Sequence, residues 1–359
     1  MSVFNPNIAL WLCKAEASEG TAETLTPGTD DLPVMAGSSI NENVQHGEVL
    51  LDNAIGGEFP APRTQWRPTA TVIVPLYGLG KDNDSKIILP IWMSVILQSF
   101  GKIVKTATTE AAAVWTPHIS VASLTSGVPA TTAAAKTFTL GQYVGGLGDP
   151  ASGKKLYKVM RGCRVQRATF SFVAGQIATV TFEIVGRGVK PVDATTDITG
   201  NDLDGVKADF IVPDALATSY DGTLANSKNF TVVVDTGAQH IESDATADGV
   251  SATALGNIRV SGTIDPWYIE QSTKDYYDRI LEPIDYTAGA WAKRAISVAA
   301  NGVYPANRSA ASGFGIKPAL PAVQLIGGDQ KDPVALRMNL QFKNTAAADS
   351  ANEFSLTIL

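Results

Sequence analysis

Two stretches of strict alternation, joined by a short turn, constrain this chain more than anything else in it. Ala168, Phe170 and Phe172 alternate with Thr169 and Ser171. Val180, Phe182 and Ile184 alternate with Thr179, Thr181 and Glu183, and Ala174-Gly175-Gln176 stands between the two runs. Successive side chains of a strand point to opposite faces, so this phrase predicts a β-hairpin with one face buried and a Thr/Ser face in water. A slip of one residue would exchange the two faces, which makes the register strongly specified. Gly186 and Gly188 mark the expected end of the hairpin.

The remaining periodicity is mostly of the same kind. Strands are expected over residues 44–51, 67–77, 230–235 and 257–264. In 67–77 the β-branched residues Thr69, Thr71, Val72, Ile73 and Val74 occupy both faces. A closing hairpin is expected where Leu336, Met338, Leu340 and Phe342 alternate with polar residues, and Phe354, Leu356 and Ile358 do so again after a loop at 344–352. Two segments carry helical spacing. In 87–100, Ile91, Trp92, Val95, Ile96 and Phe100 form a stripe, with Pro90 near the start and Gly101 beyond the end. In 267–281, Trp267, Tyr276, Tyr277, Ile280 and Leu281 follow Asp265-Pro266, read as a cap and a first-turn proline.

The order strand, strand, helix, hairpin thus occurs twice. It implies a mainly β chain, a β-sandwich or barrel with flanking α-helices, with internal duplication as one reading and a single large sandwich as the other. On the duplicated reading, residues 41–190 and 206–359 are two β units and the polar stretch 191–205 is a linker. Residues 1–40, punctuated by Pro6, Gly20, Pro27, Gly28, Pro33 and Gly37, read as an irregular loop or as an arm that orders on a neighbouring subunit.

Composition narrows the function. Of 359 residues 45% are hydrophobic and 18% charged, enough for a large core and fewer charges than usual. The formal charge of −7 includes no visible basic face for gripping nucleic acid. Cys13 and Cys163 match no metal or redox spacing and read as reduced thiols. The apolar stretch 87–100 is too short to span a bilayer, and no signal segment opens the chain, so a soluble protein assembled in cytoplasm is expected.

Residues able to carry chemistry are scattered. Gly148-Asp-Pro-Ala-Ser-Gly153-Lys154-Lys155 resembles a phosphate loop, but Lys155 replaces the Ser or Thr that would bind Mg²⁺. It reads better as a hairpin loop. His46, His118 and His240 each lack a second ligand at metal spacing. Asp202-Leu-Asp204-Gly205 is half a calcium loop and reads as a turn. Glu242 with Asp244, or Asp275 with Asp278, have the residue types for glycoside hydrolysis but nothing sets them apart from surface acids. Trp92 and Trp267 read as packing, while Trp66, Trp115 and Trp291 are candidates for sugar stacking. No catalytic, metal or cofactor-binding residue is therefore assigned.

The stretch from Lys158 to Gly186 resembles the major tail tube proteins of long-tailed bacteriophages. The shared elements are a glycine after a basic residue (Arg161-Gly162), an alternating strand, the Ala174-Gly175-Gln176 turn, and a strand ending Phe182-Glu183-x-x-Gly186. Residues 254–266 resemble that family's second-half strand leading to its helix, and 26–34 its N-terminal style. The resemblance implies a non-enzymatic virion subunit without cofactor. Copies would join sheets edge to edge into stacked rings of three duplicated chains (pseudo-sixfold) or six single ones. It also implies contacts with a tape measure protein and with tail terminator and distal tail proteins. DNA would pass through the lumen without specific binding; the formal charge of −7 reads either as an aid to solubility or as an acidic wall that lets DNA slide past. The other readings are a distal adaptor or decoration protein of the virion, and a carbohydrate-binding or glycoside-active sandwich.

Overall fold

In the computed structural model, the described residues are 9–46, 63–105, 110–117, 136–149, 154–194, 209–213, 217–220, 223–246, 249–268, 284–285, 290–291, 294–299, 315–330, 337–344 and 354–358. Fifteen of their strands belong to one hydrogen-bonded antiparallel sheet system. In chain order they are β1 (Ala9–Ala15), β2 (Ser39–Asn41), β3 (Thr69–Pro75), β4 (Lys102–Lys105), β5 (Ala113–Thr116), β6 (Phe138–Asp149), β7 (Lys154–Val173) and β8 (Thr179–Ala194). They continue as β9 (Ala217–Tyr220), β10 (Thr223–Asp235), β11 (Arg259–Tyr268), β12 (Arg294–Ala299), β13 (Ile316–Gln330), β14 (Arg337–Asn344) and β15 (Ser355–Ile358).

The order β2-β3-β8-β7-β10 forms a wall, and β1-β6 continues from the other end of β7. The pairings β10-β9-β12-β13-β14-β11 return to β10, so this part of the sheet closes on itself as a barrel does. From β13 the sheet runs out through β15 and β5 to β4. The sequence-predicted class, a mainly β sandwich or barrel, is the class observed.

The hairpin at 168–184 forms in the expected register, with Ala168 opposite Phe182 and Phe170 opposite Val180. Gly175 takes φ +73 in its turn, a region that favours glycine. The strands are far longer than the alternation suggested, because β8 continues past Gly186 and Gly188 to Ala194. The pairing shifts register around Arg161 to Arg164, and Gly162 lies in that bulge with φ +58.

Behind the wall the core is aromatic. Val72, Phe182, Ala168, Val234 and Val260 lie in one cross-strand row, all buried. Phe170 packs on Phe354 with centroids 5.5 Å apart, and Trp115 lies 5.9 Å from Phe354 and 5.1 Å from Phe100. The Trp115 indole N–H donates to the Leu97 carbonyl at 2.9 Å, so the ring's polar atom is satisfied inside the core. Gly101 presses its Cα against this indole, with no room for a side chain.

Helix is scarcer than expected. In 87–100 only a wide π-type turn over Trp92–Ile96 and a 3₁₀ turn over Leu97–Ser99 form. Ile87 instead bridges to Lys81 and donates its N–H to the Glu110 carbonyl, leaving the helical turns to begin after Pro90. The segment is buried as expected, with Trp92, Met93, Ile96 and Leu97 fully enclosed. The second expected helix loses its start, since β11 runs on through Asp265-Pro266 and ends at Tyr268. Its pairing to β14 shifts between Ile264 and Trp267, so Pro266 sits at an irregularity where a missing N–H removes no ladder bond. Residues 269–281 lie outside the described residues.

Two further expectations change. β14 and β15 are not a hairpin with each other; both pair with β13, β14 along Val323–Gln330 and β15 along Ile316–Ala319. Nor is 1–40 a free arm from Ala9 onward. β1 pairs with β6, and Trp11, Cys13, Leu32 and Ile40 join the main core.

A buried carboxylate locks that segment in place. Glu16 accepts from the Gly20 N–H at 2.7 Å and the Thr137 hydroxyl at 2.5 Å on one oxygen. Its other oxygen accepts from the Gly162 N–H at 2.7 Å and the Thr139 hydroxyl at 3.0 Å. Four donors replace the water that burial removes. Glu16→Ala should therefore lower stability by about 3 kcal/mol or more in urea denaturation, since it strands four buried donors. Phe170→Ala should cost about 3–5 kcal/mol by the same measurement.

Candidate functional surface

The outer face of the wall follows from the same pleat that builds the core. Along β3, β8, β7, β10 and β11 buried residues alternate with ones turned outward, and the outward residues line up across strands. Ile73, Thr181, Thr169, Val233 and Ser261 form one row. Thr179, Ser171, Thr231 and Thr263 form the next, with the covered Pro75 at its β3 end. The third is charged: Thr71, Glu183, Arg167, Asp235 and Arg259 stand opposite one another in that order. Arg167 reaches Glu183 at 3.7 Å and Asp235 at 3.5 Å. The result is a sheet face rich in hydroxyl groups, interrupted by Ile73 and Val233, with one row of alternating charge and Asp265 farther along β11. The sequence had exposed the hydroxyl alternation on one hairpin; that three more strands extend it in register was not legible, because alternation does not name its partner.

Among the described residues weighed for chemistry, no comparable convergence appears. Gly148 and Asp149 end β6 and Lys154 begins β7, with Asp149 opposite Lys154. A strand, not a helix, follows, so the helix N-terminus that would receive a phosphate is missing. His118, Asp202, Asp204, Asp275 and Asp278 lie outside the described residues. His46 ends the short strand Val44–His46, paired with Arg63–Trp66. Trp92 and Trp115 are sealed in the core and Trp66 packs against it, which removes Trp115 from sugar stacking. Trp267 lies in β11, and Trp291 in a two-residue pairing with Ile284. Glu242 is held by Arg67, and Asp244 lies in the turn after it. Cys13 and Cys163 are free, buried thiols whose pKa values burial pushes up. Among the described residues no three His, Cys, Asp or Glu side chains gather as a metal site, and no helix is long and apolar enough to cross a membrane.

A cavity of about 400 Å³ lies between the 28–31 turn and the helical segment, walled by Leu89, Ile91 and Val95. Its two acids are already committed to the turn: Asp30 accepts from Thr26 N–H at 2.7 Å and Asp31 from Gly28 N–H at 3.0 Å. Burial raises the Asp31 pKa, partly opposed by the Gly28 hydrogen bond.

Among the described residues, this face of hydroxyl rows and one alternating charge row has a sealed core behind it and gathers no cluster of reactive groups. A family model described as phage tail tube protein matches residues 14–336. The chain belongs to the phage tail tube protein family. It is a structural subunit of the tail tube and hence a component of the virion tail, and membership implies self-assembly into a tube. Among curated proteins none matches the chain.

One histidine of this tail tube protein is wired into the wall. His240 directs Nε2 to the Gly186 carbonyl at 2.9 Å. Burial lowers its pKa below 6.5, against the opposing pull of the Gly186 and Pro68 carbonyls; Arg67 lowers it further and Glu242 raises it. Below pH 6.5 the unfolded chain takes up a proton that the folded chain resists, so stability held above that pH is lost as pH falls through the folded value. Urea midpoints measured from pH 8 to pH 5 should fall, and His240→Gln should flatten that fall.

Proposed function

We propose that copies of this tube subunit close edge to edge into rings, that rings stack, and that the hydroxyl face of β3, β8, β7, β10 and β11 lines the channel through which the genome of a long-tailed phage passes. The observation that carries the reading is the two-sidedness of this wall: aromatic and sealed on one side, Thr- and Ser-rich across five strands on the other. A ring of such walls presents water-binding hydroxyls to its lumen and needs no catalytic group, so the subunit acts as a conduit and not as an enzyme.

The ring is taken to hold three chains with pseudo-sixfold symmetry if 41–190 and 206–359 are two tube units joined at 191–205, and six chains otherwise. The long hairpins β7–β8 and β13–β14, one in each half, support the duplicated reading. Sheet margins such as β4, a short strand with Lys at both ends and Val104 half exposed, are suited to pairing with a neighbour. Tape measure, terminator and distal tail proteins are the proposed partners at the lumen and the tube ends. Assembly is placed in the host cytoplasm.

Negative-stain microscopy of the purified chain should show rings or tubes; persistent monodisperse particles would remove the reading. Lumen placement has its own check. Both native thiols are fully buried, so Ser171→Cys introduces the reactive one. In tubes it should react with a small maleimide and be protected from one bearing a large polymer, while the unassembled subunit reacts with both. Equal labelling of tubes by both reagents would put this face on the outside.

A further inference from the structure

A channel for DNA should not hold DNA, and uniform negative charge is one way to prevent it. The described wall is built differently. Its outward rows of Thr169, Thr181 and Ser261, and of Ser171, Thr179, Thr231 and Thr263, carry no charge. One row reads Glu183, Arg167, Asp235, Arg259, alternating in sign and summing to zero, and beyond the hydroxyl rows Val173, Asn229 and Asp265 add a single carboxylate on β11. Arg167 sits on β7 in the middle of the wall, with an acid on each neighbouring strand, at 3.7 Å and 3.5 Å. All three side chains are 42–47% exposed, so the guanidinium is accessible to a polyanion and is occupied by protein carboxylates instead.

Resting on the channel reading above, we propose that this wall passes a phosphate polyanion by cancellation: Glu183 and Asp235 hold Arg167 so that it does not take up phosphate. Arginine is the side chain best matched to phosphate, through its planar fork of donors. Left unpaired at the same place in every subunit of every ring, it would form repeated girdles of phosphate-binding groups. Affinity from such contacts multiplies with their number and falls steeply with salt. Asp235 also stands opposite Arg259 in register.

The test compares tubes of the wild-type chain with tubes of the double variant Glu183→Gln/Asp235→Asn. A short fluorescent DNA is added, the tubes are pelleted, and retained DNA is measured. The variant should retain on the order of tenfold more DNA at about 50 mM salt and lose most of that gain by about 200 mM. Adding Arg167→Gln to the double variant should return most of the retention to the wild-type level. Equal retention by wild-type and double-variant tubes overturns the proposal, as does a gain that survives Arg167→Gln unchanged. Where the double variant does not assemble, heparin chromatography of unassembled subunits decides: it should elute at higher salt than wild type and return with Arg167→Gln, and co-elution of all three overturns the proposal. If the wild-type chain itself forms no ring or tube, the channel reading falls, and this proposal with it.

Discussion

The structure depends on the pleat of five in-register antiparallel strands. Each residue of a strand serves one face only, so the choice of Phe170 for the core and Thr169 and Ser171 for the outside is a single decision. Registration spreads that decision sideways. Thr181 meets Thr169, Thr169 meets Val233, and Val233 meets Ser261, while Phe182, Ala168, Val234 and Val260 meet behind them. A slip of one residue on any of these strands would turn core side chains outward and hydroxyls onto Trp115 and Phe354. Core packing and surface chemistry therefore stabilise the same register, and the cost of breaking either falls on both.

Closing the core at the chain's N-terminal side needs a different device, because the segment after β1 is rich in turns. Glu16 supplies it. Its carboxylate gathers two backbone N–H groups and two hydroxyls from the 16–20 turn, the start of β6 and the bulge in β7. The bulge makes this possible: the left-handed conformation of Gly162 aims its N–H at Glu16, while its carbonyl accepts from the Thr253 hydroxyl at 2.7 Å. Arg164, two residues on, donates to the Thr253 carbonyl at 3.0 Å and reaches Glu19 at 3.2 Å. One irregularity in the longest strand thus ties together the N-terminal segment and the strand Val250–Ala254, which are remote in sequence.

How much of this was legible follows from what alternation encodes. It encodes faces, so the 168–184 hairpin, its turn and its buried set were readable from residues alone. It does not encode partners, so β14 and β15, alternating alike, read as a hairpin when both in fact dock on β13. Nor does an apolar run reveal how it is wound. Residues 87–100 are apolar on nearly every side, and a buried extended piece, a wide turn and a 3₁₀ turn satisfy that pattern as well as a helix does. Asp265-Pro266 carries a helix-start signal, but the bulge beside it makes proline equally acceptable in a strand. The buried Glu16 was not legible, since only Gly20 among its partners is near in sequence and the other three, Thr137, Thr139 and Gly162, lie more than a hundred residues away.

The candidate surface was legible only in part for a related reason. Net charge is a property of the whole chain, and −7 suggests an acidic wall. A wall is felt locally. Opposite charges on adjacent strands stand about 5 Å apart, so the field of the alternating row decays over a distance shorter than the ~8–10 Å screening length of physiological salt. A phosphate chain moving past at that range would meet almost no net field from this row, and from the row beside it hydroxyls together with the apolar Ile73 and Val233. Such a row would neither attract nor repel strongly at its own axial position, which would keep the energy profile of a channel built on it flat there. A strongly repelling wall would be smooth only where its charges were evenly spread around and along the bore, a condition that a stack of discrete rings does not naturally satisfy.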